Sequence, residues 1–89
     1  MENSVYTQET YDKYFKAAED YARMWGITDV HVIEIMTSVM LHRDNLRPGG
    51  GFVQSVVAND LYQAINRADD TCIKYLKQIV AAKYNCHVR

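Results

Sequence analysis

The segment from Asp29 to His42 is apolar on almost every side if it is helical. Val30, Val32, Ile33, Ile35, Met36, Val39, Met40 and Leu41 leave only a narrow stripe of His31, Glu34, Ser38 and His42 made for water. A helix apolar over most of its circumference must be covered over most of it. The chain has 89 residues, and a domain of that size buries only about 60–65 % of the surface its unfolded form exposes. Three further short helices scarcely cover such a segment. The expectation is therefore a homo-oligomer, with a buried central position inside one chain as the alternative.

The other segments read as ordinary amphipathic helices. Tyr11, Tyr14, Phe15, Ala18, Tyr21, Ala22 and Trp25 share one face of a first helix over Gln8 to Trp25, which Gly26 ends. Thr28 suits the N-cap of the second, with Asp29 favourable in its first turn. Phe52 to about Asn66 places Val53, Val56, Val57, Leu61, Ala64, Ile65 and Ala68 on one stripe. Asp69 or Asp70 caps a fourth helix running to about Tyr84, with Cys72, Ile73, Leu76, Ile79 and Val80 inward. The expected class is all-α: a single helical domain over residues 1–89, a small bundle of about four helices, homo-oligomeric.

Composition excludes several classes. A net charge of −1 lacks the basic excess of a general DNA or membrane-surface binder. The two cysteines, Cys72 and Cys86, are too few for a disulfide framework, and no leader or spanning run is read, so a cytosolic protein with reduced thiols is expected. The charge is unevenly placed. After Asp70 every charged side chain is basic: Lys74, Lys77, Lys83 and Arg89, most simply a solvated face.

Three of the four glycines stand together at Gly49–Gly51, after Arg47-Pro48 and before Phe52. A glycine turn opening a helix presents unpaired amides at a positive helix end, which suits a phosphate. Arg47, and Arg43 upstream, can add bidentate charge. The plainer reading is a tight helix–helix connection. Asn59 and Asp60 fall mid-helix in this scheme, with Asp60 inside the apolar stripe. There the pair either reads purine edges or is neutralised within the bundle, by Arg67, Arg43 or Arg47. Phe52 is a stacking platform or a hydrophobic anchor. No catalytic set, metal site or cofactor motif is read: the glycines lack a following Lys-Ser/Thr, and His31 with Glu34 is too small a ligand set. Cys72 reads as a buried thiol, and Cys86-His87 as an accidental pair.

Residues 47–85 carry a resemblance. Arg47-Pro48-Gly49, Phe52-Val53, Val56-Val57, Asn59-Asp60-Leu61, Arg67-Ala68-Asp69 and Tyr84-Asn85 together resemble a family of small phage proteins with these motifs in this order. The family is identified with sponges directed against CBASS, the bacterial defence that signals with cyclic nucleotides. The resemblance implies a non-enzymatic protein of the host bacterial cytoplasm. It would bind a cyclic dinucleotide such as 3′,3′-cyclic GMP-AMP and keep it from its effector. It also implies a helical homo-oligomer, a tetramer, with sites shaped by more than one subunit. The glycine run is one residue longer than in many relatives, and Cys86-His87 replaces the acidic and proline residues that often follow Tyr-Asn.

The site expected on chemical grounds then comprises Arg43, Arg47 and the amides of Gly50, Gly51 and Phe52 for phosphate. Phe52 and Tyr62 would stack on purines, Asn59 or Asp60 would read them, and Arg67 is either a phosphate partner or the neutraliser of Asp60. The rival is a protein–protein inhibitor or regulator gripping a host protein through the broad apolar second helix. A cyclic-nucleotide hydrolase ranks third.

Overall fold

A computed structural model describes residues 6–88. Arg89, counted in the basic C-terminal run, lies outside the described residues. Among the described residues six helices form in order: α1 (Gln8–Met24), α2 (Val30–Arg43), α3 (Gly51–Val57), α4 (Leu61–Arg67), α5 (Asp70–Lys74) and α6 (Leu76–Asn85). The class is all-α as expected, but about four helices is corrected to six, because each of the two later segments is broken once.

Both breaks have local causes. Asn59 takes a left-handed conformation, φ 62°. Its amide donates to the Val56 carbonyl (3.2 Å), and the Asp60 amide donates to the Ser55 carbonyl (2.8 Å). This is a Schellman ending, in which an αL residue turns two orphan carbonyls of the last helical turn back onto the chain. Asp60 then caps α4, its Oδ1 accepting from the Gln63 amide at 3.1 Å. The expected mid-helix placement of Asn59 and Asp60, and the inward Asp60, are both overturned. The second break is slighter: Tyr75, at φ −112° and ψ 21°, leaves helical geometry between α5 and α6.

The same device ends the two longest helices. Gly26 (φ 75°) closes α1 as expected, and Asn45 (φ 60°) closes α2, with Leu46 donating to the Leu41 carbonyl at 2.9 Å. Asp29, not Thr28, caps α2, accepting from the His31 amide at 2.9 Å. Asp69 caps α5, accepting from the Cys72 amide at 2.8 Å.

The demand made by α2 is met inside one chain. It packs against α1, α3 and α6, and Val32, Ile33, Met36, Val39, Met40 and Leu41 are buried. Thr37 is also fully buried, its hydroxyl satisfied by the Ile33 carbonyl at 2.8 Å. The central position, the alternative weighed for this segment, therefore accounts for its apolar circumference without a second subunit. Around it pack Tyr14, Ala18 and Ala22 of α1, Phe52, Val53 and Val56 of α3, and Ile79 and Ala82 of α6.

Some expected core positions face outward. Trp25 ends α1 as its C-cap and is 43 % exposed. Leu61, Ile65 and Ile73 are exposed as well. The break at Asn59–Asp60 restarts the helical phase, so the stripe drawn through Val56 and Val57 does not continue through Leu61 and Ile65. Only Ala64 of α4 is buried.

A polar knot ties three helices. Arg43, at the end of α2, donates from Nε and Nη2 to the two oxygens of Asp44 (2.8 and 2.9 Å). Its Nη1 donates to the carbonyls of Lys83 (2.9 Å) and Cys86 (2.6 Å). The Tyr14 hydroxyl of α1 donates to Asp44 Oδ2 at 2.7 Å. The guanidinium so satisfies carbonyls at the C-terminal end of α6 that no helical amide can reach. The Arg43 hydrogen bond holds the Asp44 carboxyl below its ordinary range; burial works the other way and the Tyr14 bond adds to the lowering. Burial, then the bond to Asp44, pushes Tyr14 up to about 12.

The folded chain thus binds the Asp44 proton less readily than the unfolded chain. The stabilisation is complete above the ordinary value of 3.8 and is lost as pH falls from there through the lower folded value. Asp44→Asn should destabilise the protein by about 1.5–3 kcal/mol at neutral pH, lowering Tm by roughly 6–24 °C. The variant should also lose part of the wild-type decline in stability below about pH 4, as thermal unfolding across pH would record.

Candidate functional site: the glycine turn and the start of α3

The three glycines do three different things. Gly49 lies so close to Val53 that a Cβ on it would overlap the valine Cβ and Cγ1. Its amide donates to His42 Nδ1 at 3.0 Å. Gly49 is therefore a packing glycine. Gly50 is exposed, with open space where a Cβ would stand, and serves as the N-cap of α3 without a side-chain capping bond. Gly51 makes room for a side chain: a Cβ there would collide with Arg67 Nη1, Cδ and Cζ. Arg67 reaches this position from the last turn of α4 and is steadied by Gln63 Oε1, which accepts from its Nε at 3.2 Å.

The turn thus joins an uncapped helix start with an exposed guanidinium. The first α3 bond is donated by Gln54, to the Gly50 carbonyl (2.9 Å). The amides of Gly51, Phe52 and Val53 precede it and have no partner within α3. Arg67 brings a guanidinium, which can pair with an anion through two parallel donors, to the same place.

The other expected site residues divide. The guanidinium of Arg43 is held in the knot described above and does not face the turn. Arg47 is half-buried and engaged: Nη2 donates to Ser38 Oγ (2.8 Å), Nη1 to the Tyr6 hydroxyl (3.2 Å), and its guanidinium stands over the Tyr6 and Tyr11 rings at 5.9 and 5.4 Å. Phe52 is 9 % exposed and faces the core, so it is the anchor of the turn and not an open stacking surface. Tyr62, at 72 %, is the most open ring among the expected site residues. Asn59 Oδ1 accepts from the Tyr84 hydroxyl (2.7 Å) and Lys83 Nζ (3.0 Å). Arg67 does not pair with Asp60, whose caps and exposure remove the need for a neutraliser.

Beside the α3–α4 corner lies a mostly apolar groove of about 110 Å³, bounded by Val56, Asn59, Asp60, Leu61, Leu76 and Val80 among others. Sites for drug-sized ligands occupy about 300–1,000 Å³, so this groove holds at most part of such a ligand. The Cys86-His87 tail is not idle. Cys86 is buried, its carbonyl accepts from Arg43, and its thiol donates to the Ala17 carbonyl at 3.5 Å. Burial pushes the Cys72 thiol up to about 11, so at neutral pH it is the protonated form and a poor nucleophile.

Comparison of the chain with protein-family models, curated proteins and solved structures finds no match.

The glycines should respond differently to the same added methyl. Gly49→Ala should cost about 1–3 kcal/mol, because the core at Val53 cannot take the extra carbon. Gly50→Ala, at φ −73° in open space, should stay within about 0.5 kcal/mol of the wild type, because the entropy removed from the unfolded chain offsets the poorer N-cap. Chemical denaturation of the two variants beside the wild type tests this, and equal destabilisation would remove the distinction.

Proposed function

We propose that the protein is a non-catalytic sponge that holds a phosphate-bearing nucleotide at the glycine turn. The class of ligand is a cyclic dinucleotide such as 3′,3′-cyclic GMP-AMP. The observation that carries the reading is the seating of Arg67 against Gly51 at the uncapped start of α3. A phosphate there meets backbone amides, a positive helix end and one guanidinium, with no nucleophile or base supplied by those groups. Of the residues expected for phosphate, Arg43 and Arg47 drop out and Arg67, expected as a phosphate partner or as the neutraliser of Asp60, keeps the phosphate role; of the two expected stacking rings, Phe52 drops out and Tyr62 remains. The motif resemblance of residues 47–85 supplies the biological setting: a phage protein acting in the host bacterial cytoplasm to blunt CBASS signalling.

Two features support a site completed by a second subunit. The groove beside α4 is smaller than a dinucleotide needs, and α4 exposes Leu61, Tyr62 and Ile65 along its length. The same apolar face is what favours the second reading, a protein–protein inhibitor. The broad α2 surface first considered for that role is covered within the chain.

The decisive experiment incubates the protein with 3′,3′-cyclic GMP-AMP, removes free nucleotide by gel filtration, and identifies what heat releases. Intact nucleotide is expected; altered nucleotide would mean an enzyme, and no retention at micromolar protein would overturn the proposal. Arg67→Ala should weaken binding about 10- to 100-fold, the worth of one charge-assisted hydrogen bond to phosphate, without changing thermal stability. Light scattering should give a mass several times the 10.3 kDa of one chain, reduced by Ile65→Lys. A monomer that still retains nucleotide would remove the shared-site element, and a nucleotide-free oligomer would favour the inhibitor.

A further inference from the structure

We propose that His31, Asp69 and Cys72 form a binding site for a thiolate-accepting divalent cation of the Zn²⁺ type. These residues come from two separate parts of the chain. His31 stands in the first turn of α2, Asp69 caps α5, and Cys72 is the third residue of α5. The fold brings His31 Nε2 to 3.0 Å from Asp69 Oδ2. The three ligand atoms, imidazole nitrogen, carboxylate oxygen and sulfur, all lie within 4.8 Å of one another.

That spacing is near what a metal requires. Bonds of about 2.0–2.3 Å in a tetrahedron set ligand atoms roughly 3.3–3.8 Å apart. No pair therefore has to close by more than about 1–1.5 Å, within reach of side-chain rotation at two exposed residues, His31 and Asp69. Asp69 can serve without surrendering its cap, because Oδ1 accepts from the Cys72 amide while Oδ2 faces His31. The donor set selects the metal. A thiolate with an imidazole and a carboxylate suits Zn²⁺, and Co²⁺ as its spectroscopic substitute, over Mg²⁺ or Ca²⁺, which prefer oxygen alone. One thiolate and one carboxylate balance the 2+ charge, which offsets the unfavourable dipole at the start of α5. Three protein ligands leave a fourth position for water.

Coordination replaces the thiol proton of Cys72 with the metal and releases that proton to solvent. The imidazole binds through Nε2 in the tautomer that carries its proton on Nδ1. The result is a clamp between the start of α2 and the start of α5, the shortest helix of the chain. Small domains often gain stability from such a staple. The inference does not depend on the nucleotide reading.

The test uses the reduced, untagged full chain, freed of metal and titrated with Co²⁺. Expected are one equivalent bound, a thiolate-to-cobalt charge-transfer band, the visible bands of a four-coordinate ion, and displacement by Zn²⁺. Zn²⁺ should raise the thermal midpoint, and a chelator should restore it. Cys72→Ser should abolish the charge-transfer band while Cys86→Ser keeps it. His31→Ala, at an exposed position, should weaken binding by at least about tenfold, since even outer partners of a metal site are worth 10–100-fold. Absence of the band at excess Co²⁺ would leave only the His31–Asp69 hydrogen bond and overturn the site. If Cys72→Ser does not fold, His31→Ala decides, and unchanged affinity in it overturns the proposal.

Discussion

The rest of the fold hangs on the five hydrogen bonds gathered around Arg43, Asp44 and Tyr14. Hydrophobic burial around α2 supplies the larger free energy, but it is non-directional and would tolerate several packings of α1 and α6. The knot is directional. Arg43 reads the carbonyls at one end of α6, Asp44 fixes the guanidinium, and Tyr14 sets the height of α1 against both. The Arg43 side chain is only 14 % exposed, so removing one partner would leave a charge desolvated and unpaired. The knot also seats Cys86 beside α1 and α2 and fixes the α2 C-terminus, which leads into the glycine turn.

From there the geometry of the turn follows. Asn45 closes α2, Leu46 donates back to Leu41, and the chain crosses Arg47-Pro48 to meet His42 again through the Gly49 amide. Arg47 folds away from the turn, onto Tyr6, Tyr11 and Ser38. The two arginines nearest the glycines in sequence are thus fixed to the scaffold. The guanidinium at the turn belongs to Arg67, which arrives from a later helix.

What was legible in the sequence follows from range. Periodicity placed α1 and α2 within a residue or so, and Gly26 marked a stop, because those signals are local. The break at Asn59–Asp60 was also written locally, as an Asn suited to αL followed by an Asp suited to an N-cap. Helical phase through Val56, Ala64 and Ala68 masks it, and inside an unbroken helix the pair reads as a purine reader or an ion pair of the bundle rather than as a stop and a cap. The approach of Arg67 to Gly51, the Arg43 bonds to Lys83 and Cys86, and the meeting of His31 with Asp69 had no local signature. Each joins residues between 16 and 43 positions apart, so tertiary packing decides them: α4 against α3 for Arg67, and α2 against the later helices for the other two.

The break has a further consequence. Continuous with α3, the stripe of Leu61 and Ile65 would have pointed into the core with Val56. Restarted by the Asp60 cap, α4 rests chiefly on α3, buries Ala64 alone, and turns Leu61, Tyr62 and Ile65 to solvent. A chain that satisfies its most apolar helix internally has little reason to leave three large side chains outside on a short helix of 7 residues, whose intrinsic stability is slight. A second body laid against α4 would bury that face, enlarge the adjoining groove and hold Arg67 at Gly51. The same short helix carries both Arg67 and the exposed apolar face, so under the proposed function a partner resting on that face would couple assembly to ligand capture.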